Sequence, residues 1–213
     1  SGSESGMHES FEHESDFFAR WVRKDNGAPA NWEFTSPGFE SNTSFFINNF
    51  EGGNWTYEFH SQPLDASGLD AIAVSFDYAY ARKASTNNDV LQIAVSTDCG
   101  ETWTTRKTHY GGSSLRTVTD LIPDVPFVPL DETQWKSDVV NNIGATYMTD
   151  NLMVRFRFQS DGGNNLYVDN IRIAHPDALG IADIKVDKFK LFPNPVNDVL
   201  NVHFEMGEQP EKI

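Results

Sequence analysis

The stretch Ile72-Ala-Val-Ser-Phe-Asp-Tyr-Ala-Tyr80 decides the fold, because large apolar residues alternate along it with small or polar ones. Successive side chains of a β-strand point to opposite faces, so this period of two predicts a strand with one apolar face. One buried face and one polar face are typical of antiparallel sheets. We therefore predict that this strand contributes one face to a hydrophobic core.

The same alternation marks further strands along the chain. It recurs in Trp55–Phe59, Leu91–Val95, Val154–Phe158 and Tyr167–Ile173. Turns rich in glycine and asparagine separate these segments, and no amphipathic stretch of about ten residues or more indicates a long helix. Many short strands divided by turns are typical of a sandwich or barrel. The sequence therefore predicts an all-β fold.

The composition limits the classes of partner. Among 213 residues, 16 Lys and Arg stand against 31 Asp and Glu, which gives a formal net charge of −15. Nucleic acids and anionic membrane surfaces attract clustered positive charge, so neither is an expected partner. No apolar run approaches the roughly 20 residues that a membrane-spanning helix needs. The single cysteine, Cys99, excludes an internal disulfide and a cysteine-based zinc site.

Changes in pattern divide the chain into four parts. Residues 1–9, which begin with Ser-Gly-Ser-Glu-Ser-Gly, are predicted to be a tag or linker. The strand-rich module is predicted over 10–173, followed by a linker over 174–187. Residues 188–213 are predicted to begin a second, truncated β-rich unit. Within the module, residues 112–133 carry three prolines, which predicts a long loop packed over one end or edge of a sheet.

The segment Ser96-Thr-Asp-Cys-Gly-Glu-Thr-Trp103 matches the S-x-D-x-G-x-T-W pattern called an Asp-box. Its aspartate can accept hydrogen bonds from turn N–H groups, its glycine permits a positive φ angle, and its tryptophan can fold back on the hairpin. The predicted structural hairpin consists of Ser96, Asp98, Gly100 and Trp103.

Asp169 is the most informative acidic residue. Counted by strict alternation, it shares a face with Tyr167 and Ile171, which would point its carboxylate toward the core. Burying an unpaired carboxylate is costly, so calcium, which takes oxygen ligands, is an expected partner.

The first-strand acid Glu12 could reach Asp169 if the first and last strands are neighbours. The weaker candidate ligands are Asn42 and Asp65. The alternative is that loop N–H groups satisfy Asp169 and that no metal binds.

Three tryptophans offer a different kind of site. Trp21, Trp32 and Trp135 could form a platform on which sugar rings stack, although a core position for each is the alternative. No catalytic constellation is recognisable in the sequence. The stretch His8-Glu-Ser-Phe-Glu-His13 does not fit the zinc-peptidase motif H-E-x-x-H, because one extra residue separates its histidines.

Two stretches resemble parts of secreted bacterial proteins. Phe192-Pro-Asn-Pro-Val-Asn-Asp-Val-Leu-Asn-Val202 is similar to the start of the C-terminal sorting domain on cargo of the type IX secretion system of Bacteroidetes. Residues 10–173 resemble jelly-roll modules of the MAM type and the cleaved adhesin domains of gingipain-like proteins. The stretches that carry this second resemblance include Ser10–Glu12, Val74–Tyr78, Ser96–Trp103, Val154–Phe158 and Asn165–Ile171.

The resemblance implies an antiparallel β-sandwich of the jelly-roll type, followed by an incomplete β-rich fragment. Such modules often hold structural calcium between the first-strand acid and the last-strand acid, which are Glu12 and Asp169 here. The resemblance further implies a non-catalytic accessory or adhesin-like module, not itself an enzyme.

The expected partners follow from the same resemblance. The module would adjoin another domain, such as a peptidase, of a secreted or cell-surface protein. The C-terminal segment would engage the machinery that exports the protein across the outer membrane, and a glycan or a host matrix protein is a further expected partner. Two alternatives stay open, namely a carbohydrate-binding module and a hydrolase.

Overall fold

The computed structural model describes residues 6–25, 27–28, 30–179, 189–192 and 201–204. The chain divides into two compact units between Leu179 and Gly180. The strands, in chain order, are β1 (Met7–Glu9), β2 (Trp21–Lys24), β3 (Trp32–Thr35), β4 (Ser44–Ile47), β5 (Thr56–Ser61), β6 (Ala71–Tyr80), β7 (Val90–Ser96), β8 (Thr104–Tyr110), β9 (Lys136–Gly144), β10 (Met153–Gln159), β11 (Leu166–Ala174), β12 (Phe189–Phe192) and β13 (Asn201–Phe204).

The first unit is a sandwich of two sheets. Sheet A has the strand order β3-β4-β11-β6-β9, with β1 also paired to β11, and sheet B has the order β2-β5-β10-β7-β8. All of these pairs are antiparallel. In the second unit, β12 pairs with β13 in an antiparallel two-stranded sheet. The predicted all-β, antiparallel sandwich is confirmed, with the alternating stretch that opened the sequence forming β6.

The first and last strands of the module are neighbours. Met7 pairs with Ile173, and β4 pairs with the other half of the same β11 edge. Residues 7–9 therefore belong to sheet A, and the prediction that 1–9 is a tag or linker is wrong for these three residues.

The C-terminal end of the module, predicted at residue 173, lies further along the chain in the structure. β11 runs to Ala174, and a 3-10 turn at Pro176–Leu179 follows within the first unit, so the linker predicted over 174–187 begins too early. Most of the sorting-domain motif at 192–202 lies outside the described residues.

Aromatic rings fill the space between the sheets. The ring of Phe59 lies 5.1 Å from that of Phe156, 5.3 Å from Phe45 and 4.9 Å from Trp32, measured between centroids. The short helix α1 (Glu14–Arg20) adds Phe17, whose ring lies 4.6 Å from that of Phe45. Burying each such ring contributes roughly 1.5–3 kcal/mol, so this cluster is a main source of stability. No helix in the described part of the chain is long and apolar enough to cross a membrane.

The proline-containing loop 112–133 packs at the end of β6, where Thr117 N donates to the Tyr80 carbonyl and Ile122 N to the Arg82 carbonyl, and it continues over the outer face of sheet A. Its Phe127 is buried beside Tyr167, with the ring centroids 6.1 Å apart. Asn164 fastens the loop, because its side-chain oxygen accepts a hydrogen bond from Phe127 N at 2.7 Å and its Nδ2 donates to the carbonyls of Ile122 and Val125. The prediction of a long loop packed over one end or edge of a sheet is confirmed at the end of β6, and the loop also covers part of the outer face.

Candidate functional site

An irregularity in β11 sets the position of Asp169. Asp169 pairs with Asp77, but the next pair is Arg172 with Ser75, so two residues of β11 oppose the single Phe76 of β6. Asn170, inside this bulge, has a φ of 49°, in the left-handed region. A bulge reverses the alternation of faces along a strand.

The bulge overturns the predicted direction of Asp169. Ile171 and Ile173 belong to the core between the sheets, whereas Tyr167 lies in the second apolar cluster on the outer face of sheet A. The Asp169 carboxylate meets the loop over that outer face. The prediction that Asp169 shares the inward face of Ile171 is therefore wrong, because the extra residue shifts the two to opposite sides.

Asp169 is nevertheless fully buried, because loop 37–43 covers it. Its Oδ2 accepts hydrogen bonds from Phe39 N at 2.7 Å and Ser41 Oγ at 2.9 Å, and its Oδ1 accepts one from Asn170 N at 2.7 Å. Burial raises the pKa of Asp169 to about 6, although these hydrogen bonds act in the opposite direction. The Asp169 carboxylate therefore holds loop 37–43 through these hydrogen bonds, and burial disfavours its charged form.

Glu12 holds the other half of the same loop. Its Oε1 accepts hydrogen bonds from Asn42 N at 3.0 Å and Thr43 N at 2.8 Å, and its Oε2 accepts one from Asn42 Nδ2 at 3.3 Å. The structure thus brings three of the four predicted calcium ligands, Glu12, Asn42 and Asp169, to one loop.

Asp65, the fourth predicted ligand, lies elsewhere. It is exposed, and its carboxylate accepts hydrogen bonds from the N–H and hydroxyl groups of Ser67 in its own turn. Within the described ranges, no contact joins Asp65 to the other three residues. Its place in the predicted ligand set is wrong, because the turn uses its carboxylate locally.

Oxygen atoms converge at Gly38 within the loop. A Cβ atom at this position would lie 2.0 Å from Ser41 Oγ, 2.6 Å from the Thr43 carbonyl oxygen and 2.8 Å from Asp169 Oδ2. Such distances exclude any side chain and show that hydroxyl, carbonyl and carboxylate oxygens surround one small space. These are the donor types that calcium prefers, so the residues present fit a hard cation.

Asp77 is a member of this site that the sequence analysis missed. It faces Asp169 across the strand pair, and its carboxylate accepts hydrogen bonds from the Ser137 hydroxyl and, at 3.1 Å, from Asn170 Nδ2. The alternation of β6 places Asp77 on the outer face, but its proximity to Asp169 depends on strand register. No local pattern in either strand reveals that register.

The predicted Asp-box hairpin has the expected geometry. Asp98 Oδ1 lies 2.6 Å from Ser96 Oγ and accepts a bond from Thr102 N, and these hydrogen bonds lower the pKa of Asp98 to about 2. Gly100 has a φ of 83°, and the indole Nε1 of Trp103 donates to the Gly100 carbonyl at 3.0 Å. The bonds are internal to the turn, so the hairpin is a structural element.

The three tryptophans predicted to stack on sugars are buried. Trp21 is 1% exposed, Trp32 0% and Trp135 7%. The first two lie in the core between the sheets, and Trp135 packs against Tyr167 under the loops on sheet A, 6.1 Å between ring centroids. The prediction of a sugar platform at these residues is wrong, because packing from distant parts of the chain covers each indole.

Comparisons with known proteins place the fold among bacterial adhesin domains. No family model matches the chain, and the search of curated proteins found no match. The K1 cleaved adhesin domain of Lys-gingipain from Porphyromonas gingivalis W83 matches with a TM-score of 0.53 at 18% identity, covering 82% of this chain and 99% of that domain. The K3 domain of the same protein matches with a TM-score of 0.55 at 15% identity, covering 79% and 98%. These similarities establish a shared sandwich fold.

The raised pKa of Asp169 gives a pH-dependent stability. The native state binds this proton more tightly than the unfolded chain, whose aspartates titrate near 3.9. The predicted quantity is the unfolding free energy of the wild type minus that of Asp169→Asn, measured in buffer containing EDTA. This difference should fall as the pH rises from about 4 through about 6. Denaturant titrations at several pH values measure this difference.

The control for this experiment is Asp65→Asn. Hydrogen bonds from Ser67 lower the pKa of Asp65. The Asp65→Asn variant should therefore keep the fall in unfolding free energy between about pH 4 and pH 6, which Asp169→Asn should lose. Parallel profiles for the wild type and Asp169→Asn would contradict the assignment.

Proposed function

We propose that this chain is a non-catalytic, adhesin-like accessory module of a secreted, multidomain bacterial protein. The observation that carries the proposal is that its buried carboxylates are used to fasten loops. Asp89 is fully buried, and it accepts hydrogen bonds from Tyr80 Oη, Asn49 Nδ2, Asp161 N and Gly163 N. A carboxylate that acts as general acid or base must instead face a substrate. The sandwich shared with the Lys-gingipain adhesin domains supports the same role.

A panel of chromogenic peptide, ester and glycoside substrates tests the non-catalytic role. Asp77 and Asp169 are neighbouring acids, paired across β6 and β11, and serve as the test positions for the hydrolase alternative. The wild type should show no turnover above that of Asp77→Asn and Asp169→Asn. Turnover that either substitution abolishes would establish the hydrolase alternative.

Structural calcium is part of the proposal. Glu12 and Asp169 would hold the ion together with the Ser41 hydroxyl and the Thr43 carbonyl, which converge at Gly38. When bound, calcium would neutralise the buried charge of Asp169 and join loop 37–43 to the last strand. It would therefore stabilise the module without taking part in a reaction.

Calcium should raise the melting temperature of protein first treated with EDTA, because a ligand that binds only the native state stabilises it by mass action. At a concentration of about 100 Kd the expected gain is about 2.7 kcal/mol. Glu12→Gln and Asp169→Asn should each remove the shift. Asp65→Asn, a matched change at an exposed acid outside the site, should retain it. Identical melting curves with and without calcium would refute the site.

The C-terminal segment is proposed to direct export. The resemblance of residues 192–202 to the sorting domains of type IX secretion cargo supports this role, as does the proposed place of the module in a secreted protein. Deleting 188–213 from the parent protein in its own host should leave it inside the cell, as measured by immunoblots of cells and medium. Unchanged export of the shortened protein would count against a sorting function.

A second candidate function is carbohydrate binding. The outer face of sheet B favours it, because this face carries solvent-accessible polar and charged side chains in rows. The tryptophans that first suggested sugar binding are not part of this face.

A further inference from the structure

The two outer faces of the sandwich differ in accessibility. Loops cover the part of the outer face of sheet A that carries Tyr167 and Asp169, and they leave Asp169 with no exposed surface. On sheet B, solvent reaches the side chains of Lys24, which is 62% exposed, and Arg157, which is 36% exposed. Sheet B therefore presents the face that is available to a partner.

Strand register collects positive charge at the centre of this face. Arg157 lies between Glu58 of β5 and Gln92 of β7, and Lys24 of β2 is the next neighbour of Glu58. Arg155, two residues before Arg157, shares the same face. The chain carries a net charge of −15, so three cations around a single carboxylate form a local exception to its overall charge.

The cations outnumber the acceptors around them. The carboxylate of Glu58 lies 3.5 Å from Lys24 Nζ, 3.4 Å from Arg155 Nη1 and 3.1 Å from Arg157 Nε. One carboxylate cannot saturate two guanidinium groups, each with five N–H donors, and an ammonium group. Solvent reaches the Lys24 ammonium and the Arg157 guanidinium, so their remaining N–H groups are accessible to a ligand. The cluster therefore has unused donors for an additional anionic group.

The Asp-box hairpin supports this cluster from one side. The Arg155 guanidinium lies over the Trp103 ring, 4.4 Å from its centroid, and the hairpin fixes Trp103 through its bond to the Gly100 carbonyl. An arginine stacked on an aromatic ring keeps its planar fork oriented while its N–H groups stay available. The hairpin thus holds Arg155 in place before any ligand arrives.

We propose that the sheet-B face formed by Lys24, Arg155 and Arg157, with His60 and Gln92 beside them, binds an extended glycan bearing carboxylate or sulfate groups. Arginine forks match both kinds of oxyanion. The face lacks the apolar centre that protein interfaces use, since charged and amide side chains occupy its middle positions, and this favours a hydrated polymer over a protein. The inference rests on the proposed non-catalytic binding role and deepens it.

Affinity electrophoresis of the folded chain tests the proposal with three polysaccharides and with poly-glutamate, which represents an acidic polypeptide. Polygalacturonate presents carboxylates, dextran sulfate presents sulfates, and dextran is the neutral control. The wild type should be retarded by at least one polyanion, with weaker retardation at higher salt, and should pass dextran freely. The polymer that retards it distinguishes the two sources of charge.

Variants locate the binding on sheet B. Arg155→Gln combined with Arg157→Gln should weaken retardation about tenfold or more, because charge-assisted hydrogen bonds are lost. Glu58→Gln should strengthen it several-fold, since this carboxylate competes with the ligand for the same donors. Arg155→Gln and Arg157→Gln taken singly should each also weaken retardation, whereas Arg172→Gln, which removes the same single charge at an exposed position of sheet A, should behave as the wild type. Melting curves confirm that each variant is folded.

Several results would overturn the proposal. The first is that neither polyanion retards the wild type. The second is that Arg172→Gln weakens retardation as much as the substitutions on sheet B do, and the third is that Glu58→Gln weakens retardation. Stronger retardation by poly-glutamate than by both glycans would also overturn it, because an acidic polypeptide would then be the preferred partner. None of these outcomes bears on the non-catalytic role, which the chromogenic substrates test separately.

Discussion

One extra residue in β11 determines where the acidic groups of the module lie. Asn170 and Ile171 together oppose Phe76, so the strand turns Asp169 outward while Ile171 stays in the core. Without this insertion Asp169 and Ile171 would share one face, so either the carboxylate would enter the apolar interior, which is costly for an ionised group, or Ile171 would leave it. With it, Asp169 meets N–H and hydroxyl donors from loop 37–43, and the loop gains a fixed place over sheet A.

Local patterns in the sequence were sufficient for the hairpin and for β5, β6, β7, β10 and β11, but they did not reveal β1 to β4, β8 and β9. The alternation in β6 and the Asp-box turn both arise from neighbouring residues, and the structure confirms both. The bulge was missed because a single inserted residue leaves the spacing from Tyr167 to Ile171 looking regular. The exposure of Trp21 was mispredicted because burial depends on elements far away in the chain. The meeting of Glu12 and Asp169 was anticipated from the sequence only on the condition that the first and last strands are neighbours, and the family resemblance implied the same pair.

The two sheets have separate roles as a result. Glu12 and Asp169 fasten one loop over sheet A, and Asn164 fastens the proline-containing loop beside it. Both attachments use hydrogen bonds within the chain, so this face is devoted to holding the module together. On the other side of the sandwich, the outer face of sheet B carries Arg155 and Arg157 and is the face that we propose meets other molecules.

The pairing of Met7 with Ile173 has a consequence for biosynthesis. Ribosomes release the N-terminus first, so β1 has no partner in sheet A until residues 166–174 have emerged. β4 needs the same late strand, and contacts this distant in sequence form slowly. Until then, the nascent chain carries early strands with open hydrogen-bonding edges. The last strand of the first unit, β11, therefore completes sheet A and ends the interval in which these edges are most exposed to aggregation.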